Sequence, residues 1–181
     1  MFNKLLKIWK DKDLRNKILF VLVMLAIFRI AAHIPMPGID AENLKRFFNS
    51  NQILGLVNVF SGGAMATFSI VALGIAPYIT SSIIFQLLTM IIPKLEALSK
   101  EEGGKQKINQ YTRFVTVPLA FIQSYGMINL LSRSSTQIFL DLSPFNIVSM
   151  MITMTAGTVF LMWIGELISE KKVGNGISLL I

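Results

Sequence analysis

Four long apolar runs dominate this chain, and runs of that length have few ways to be satisfied. A hydrocarbon layer ~30 Å thick is crossed by about 20 helical residues. Inside it, every backbone donor and acceptor must be paired within the segment, which selects helices. The runs are 18–34, interrupted by Arg29 and stopped by Pro35-Met36-Pro37-Gly38; 70–92, closed by Pro93-Lys94; 114–131; and 147–168. A fifth opens at Ile177, after Gly174-Asn175-Gly176, and reaches only Ile181. A span that short does not cross a bilayer, so the expectation is a fragment of a longer protein. Composition agrees: 53% of the 181 residues are hydrophobic and 15% charged, where a soluble domain carries about a quarter charged. An ordinary soluble globule is excluded, and so is a disordered chain. With no cysteine, a disulfide framework and thiolate-based metal or nucleophile sites are excluded too. The expected fold is all-α, a polytopic transmembrane helix bundle.

Charge gives the bundle a direction. Six Lys and Arg precede Ile18, two lie in 35–69, five between Pro93 and Arg113, one in the next loop and two after the fourth run. That alternation follows the positive-inside rule for a cytoplasmic N-terminus. A net charge of +7 in so apolar a chain points to the anionic cytoplasmic leaflet rather than to nucleic acid. The expected organisation is a basic N-terminus (1–17), a first span (18–34), an external loop (35–69) and a second span with its lead-in (70–92). A cytoplasmic loop (94–113), a third span (114–131), a fourth (147–168) and the start of a fifth (177–181) follow. No small-residue cleavage site follows the first run, which argues against a signal peptide.

Two loops stand out. In 35–69 the patch 52–60 is followed by Ser61-Gly62-Gly63, then by a weakly apolar stretch of small residues from Ala64 to Gly74. This stretch is too short to span and reads as a short helix, with Gly62 and Gly63 as flexible entry and Gly74 as a joint. The 94–113 loop carries Glu101-Glu102-Gly103-Gly104-Lys105 at its tip. Spacing alone leaves open whether it is more than a solvated turn.

Several classes of function lack their chemistry. No carboxylate sits in mid-membrane; Glu166 lies near the inner end of the fourth run, and Arg29 and His33 lie near the outer end of the first. An ion-coupled carrier needs an interior acid or base, and a protease needs a nucleophile with a positioned base. Neither HExxH nor a phosphate-binding glycine loop occurs. His33 reads as an interfacial residue rather than a ligand. No catalytic residue, cofactor or metal is expected, and no enzyme. Half of an inverted-repeat secondary transporter, broken at Gly74 and Pro77, is the alternative.

The second run is the informative one. Ile75, Ile79, Ser82 and Gln86 fall at i, i+4, i+7 and i+11, one face of a helix. Pro77 removes a backbone donor there. A packed interhelical contact accounts for such a face as well as a functional wall does. Ser149, Thr153 and Gly157 on the fourth run form a face read as packing.

Longer blocks carry a resemblance. Phe28-Arg29-Ile30, 34–40 (IPMPGID), 60–64 (FSGGA), 68–79 (FSIVALGIAPYI), 83–88 (IIFQLL), 110–113 (QYTR), 157–166 (GTVFLMWIGE) and 174–178 (GNGIS) resemble, in order, the SecY family. These are channel subunits of the bacterial protein-secretion translocon. The resemblance covers essentially the whole chain and implies the N-terminal half of a ten-span, pseudosymmetric channel in the cytoplasmic membrane, passing unfolded polypeptides and releasing hydrophobic segments into lipid. It implies that Ile75, Ile79 and Ile181 belong to a central constriction. It further implies that Ala64, Met65, Ala66, Thr67, Phe68, Ser69, Ile70 and Val71 lie in a plug hinged at Gly62, Gly63 and Gly74, and that Thr80, Ile83 and Gln86 lie on half of a lateral gate. The implied partners are SecE, SecG, SecA or a ribosome, signal-sequence-bearing substrates, membrane lipids and the C-terminal half of the same protein. Lys172-Val173 stands where the family commonly has Gly-Ile.

Overall fold

The computed structural model describes residues 12–50, 67–133 and 138–181. Seven helices are described: α1 (Lys12–Ala32), α2 (Ala41–Ser50), α3 (Ala76–Ile91), α4 (Pro93–Lys100), α5 (Gly104–Ser132), α6 (Pro144–Glu170) and α7 (Gly176–Leu180). The helices α5 and α6 are long and apolar enough to cross a membrane singly, and α3 with α4 would count as a third span despite a 104° bend. The bend falls at Ile92-Pro93, where proline forces its predecessor into extended backbone, here φ −99° and ψ 110°. The first helix is 21 residues long, with the charges of Lys12, Asp13, Arg15, Lys17 and Arg29 at its ends.

Local chemistry fixes the helix ends. Asp40 accepts from the backbone N–H of Glu42 (2.9 Å) and Asn43 (3.1 Å), starting α2. Ser143 accepts from the N–H of Asn146, with Pro144 at the first helical position of α6. Asn175 does the same for α7 through the N–H groups of Ile177 and Ser178. The α4–α5 corner needs glycine twice. Gly103 sits at φ +78°, and a Cβ on Gly104 would lie 1.6 Å from the Leu98 carbonyl oxygen.

The helices pack through small and hydroxylated residues, which let backbones approach where lipid offers no hydrophobic gain from association. On α5, Thr112, Thr116, Ala120, Ser124 and Ile128 recur every fourth residue and are all buried. The buried Ser81 of α3 donates to the Thr112 carbonyl at 2.8 Å. Residues 34–40 form a strap between α1 and α2. At one end Met36 N–H donates to the Phe68 carbonyl (3.0 Å) and Ile70 N–H to the Ile34 carbonyl (3.1 Å). At the other, Asp40 N–H donates to the Ile138 carbonyl (2.8 Å) and Leu140 N–H to the Gly38 carbonyl (3.1 Å).

Among the described residues two apolar cores result. One gathers Met36, Leu44, Phe68, Ala72, Ile128, Leu131, Ile138 and Met150. The other gathers Val21, Ala31, Val71, Ile75, Leu161, Ile164, Ile168 and Leu180. The 67–75 segment contributes to both, so it pins them together.

Candidate functional site

The face of α3 turned away from α5 is the candidate site. Its buried side, with Pro77 and Ser81, packs inward. The opposite side carries Ile79, Thr80, Ile83, Gln86, Leu87 and Met90, all exposed. Two of these are polar on an otherwise greasy arc. Thr80 donates its hydroxyl to the Ala76 carbonyl at 3.0 Å, and Gln86 Nε2 reaches Ser82 Oγ at 3.4 Å. A hydroxyl folded onto its own helix tolerates lipid. An amide with one long contact has hydrogen-bonding capacity to spare, which favours a polar partner or water opposite it.

The three isoleucines do not share one environment. Ile79 is 37% and Ile181 73% exposed, but Ile75 is only 5% exposed and belongs to the second core with Leu161, Ile164 and Leu180. Ile75 sits at the foot of the 67–75 turns, one residue before α3 begins, and the turn rotates it inward. The periodic face extrapolated through Ile75 therefore ends at Ile79.

The lead-in to α3 also differs from the expected short helix. Residues 67–75 are a succession of turns, and α3 starts at Ala76. The physical reason is at two positions. Phe68 takes φ +39° and Gly74 φ +57°, and left-handed residues interrupt a right-handed helix. Within the segment Phe68, Ser69, Val71 and Ala72 are buried, and Thr67 donates its hydroxyl to the Ala32 carbonyl at 3.1 Å. Gly62, Gly63, Ala64, Met65 and Ala66 lie outside the described residues. Nor is the 94–113 region simply a loop: α4 and the first turns of α5 occupy it.

An ion pair joins Arg113 of α5 to Glu166 of α6, and no sequence pattern announces it. Both residues stand at the ends of recognised sequence blocks. Only the packing of α5 on α6 brings them together. Between the same two helices lies an open apolar groove of about 610 Å³. Its lining, with Phe121, Ile152, Val159 and Trp163, offers no chemistry beyond contact with apolar groups.

The fold and this face together define a multi-pass, α-helical membrane protein. A family model described as SecY matches residues 69–181, and the chain belongs to the SecY family. It is 47% identical to the protein translocase subunit SecY of Streptomyces galbus over 99% of this chain and 44% of that protein. It is 48% identical to the SecY of Buchnera aphidicola over 93% of this chain and 40% of the relative. The chain thus spans less than half the length of these curated relatives. Among solved structures, one described as Sec61 in the canine ribosome–channel complex from the endoplasmic reticulum matches with a TM-score of 0.57 at 17% identity, covering 91% of this chain and 34% of the other. A second, described as a protein-conducting channel, matches with the same score, identity and coverage. These two structures establish the shared fold.

Proposed function

We propose that this chain forms the N-terminal half of the central channel subunit of a Sec translocon, which passes unfolded polypeptides across the cytoplasmic membrane and releases hydrophobic segments sideways into lipid. The exposed arc of α3 carries this reading, since an amphiphilic edge on a membrane helix calls for something other than lipid across from it. The C-terminal half of the same protein is the natural occupant, with its N-terminal partner oriented so that the basic N-terminus is cytoplasmic. SecE and SecG would complete the membrane complex, and SecA or a ribosome would deliver substrate.

A channel that passes every kind of side chain cannot hold a specific binding site; it needs a deformable apolar collar. Branched aliphatics carry no charge to trap a passing residue, and a narrow apolar ring resists water and ions when closed. Ile79 and Ile181 supply that collar in this half. Ile75 joins it when the plug, residues 64–71 in this reading, moves off and uncovers the core that Ile75 shares with Val71. Gly62, Gly63 and Gly74 flank the moving stretch. Thr80, Ile83 and Gln86 form one lip of the lateral gate. In the full-length protein reconstituted into vesicles, replacing Ile79 and Ile181 together with Ser should raise the resting ion conductance; an unchanged leak would contradict the collar.

A further inference from the structure

The 67–75 segment rests directly on the backbone of α6. A Cβ placed on Gly157 would lie 2.1 Å from the Ile70 carbonyl oxygen and 3.3 Å from the Val71 Cα, so only glycine allows the contact. On either side of it in sequence lie two hydroxyls, Ser69 Oγ and Thr158 Oγ1. Both are fully buried, and neither has a hydrogen-bond partner among the described residues. Thr158 is unusual on its own helix. Thr153 and Thr155 donate to the carbonyls of Ser149 (2.8 Å) and Met151 (2.7 Å), the ordinary solution for a helical threonine. Phe68 adds strain at φ +39°, a region where bulky residues are outliers. Opposing these costs are the two backbone hydrogen bonds to the 34–36 strap, the edge-to-face contact of Phe68 with Phe139 at 6.1 Å and the burial of Phe68, Val71 and Ala72.

We propose that Gly157 is the seat on which residues 67–71 close, and that the unpaired Ser69 and Thr158 hydroxyls set how readily they leave. The unmet hydroxyls and the Phe68 strain weigh only on the seated state. Once the segment lifts, water reaches both hydroxyls and Phe68 relaxes. The closed state is held by apolar burial and loosened by these built-in penalties, so a modest push from an entering substrate suffices. This consequence for transport rests on the plug reading above; the seat itself does not.

The test uses the full-length protein in membranes with a single cysteine at Val71, which is 1% exposed, read by the rate of alkylation with a water-soluble maleimide. A cysteine at Ile128, 2% exposed and on a different helix, reports general loosening. Gly157→Ala should speed labelling at position 71 at least five-fold and leave 128 protected. Ser69→Ala and Thr158→Val should each slow it, by roughly five-fold for an unmet hydroxyl removed. Labelling at 71 that is unchanged by Gly157→Ala, or that is not slowed by either hydroxyl deletion, overturns the proposal. Should Gly157→Ala expose both positions, the direction of the Thr158→Val effect decides. Labelling shifts of the expected signs without any change in ion leak would uphold the seat and overturn the plug reading.

Discussion

Arg113 and Glu166 tie α5 to α6, and their coupling is large enough to measure. Side-chain exposure is 44% for Arg113 and 26% for Glu166, so neither charge is fully solvated or fully buried. At contact distance the attraction is about 1 kcal/mol in water and about 4 kcal/mol at an effective dielectric near 20. Partial exposure places this pair between those limits, and a coupling energy of about 1.5–3 kcal/mol follows. Three other ion pairs serve as internal standards: Lys17–Asp13, Arg46–Glu42 and Lys100–Glu96, all within one helix at i, i+4. At least one partner in each is more than 70% exposed, and solvent-screened pairs of this kind contribute little. The assay is a double-mutant cycle on the full-length protein in mixed micelles, with Arg113→Gln, Glu166→Gln and the double variant compared by denaturant unfolding. Each single change strands a half-buried charge, so the double variant should cost less than the sum of the two. A coupling no larger than that of the exposed Lys17–Asp13 pair would refute the claim that the pair fastens the two spans.

Glycine positions give predictions of opposite sign. Gly176→Ala puts a Cβ 1.9 Å from the Gly165 carbonyl oxygen and should cost about 2 kcal/mol or more in unfolding free energy. Gly126→Ala on α5 meets nothing within 4 Å and should gain about 0.5–1 kcal/mol. Equal effects would contradict the packing described. Lys172 holds φ +55°, so Lys172→Gly should stabilise by about 0.5–1 kcal/mol; a loss would show that this turn is not strained. The Lys100 hydrogen bond, with its charge, holds the Glu96 carboxyl below the ordinary carboxylate range. Its small support of the end of α4 is therefore present above that range and disappears as pH falls through the lowered value. A Glu96 titration midpoint at or above the ordinary value would refute the pairing.

Much of this architecture is legible in the residues. The α5 and α6 helices follow from apolar runs bounded by charge and proline, and Pro93 marks the α3–α4 bend. What escapes the sequence depends on backbone conformation and on contacts between distant segments. The stretch before α3 is apolar enough for a helix, but left-handed Phe68 and Gly74 turn it aside, and nothing in the pattern marks a phenylalanine for φ > 0. Ile75 fits the period of Ile79, Ser82 and Gln86, yet lies just before the helix that would give the period meaning. The polar residues Gly104–Arg113 read as a loop because they are charged. Length and charge set exposure, and leave open whether the exposed backbone is helical. The Arg113–Glu166 pair and the Gly157–Ile70 contact join residues of different elements, and only the packing of those elements reveals them. The Lys172 departure is a case where the sequence did point to a real feature, for the turn takes a conformation suited to glycine.

What lies against the open side of α3 decides whether this half borders a channel. Single cysteines at Ile79, Ser82 and Gln86 in the full-length protein, with Ser81 as the buried reference against Thr112, can be probed with a membrane-impermeant thiol reagent. Reaction at 79, 82 and 86 during substrate passage, with 81 protected throughout, is the predicted result. Protection at all four positions, with substrate engaged, would mean that this side of the helix meets lipid or protein and borders no aqueous path.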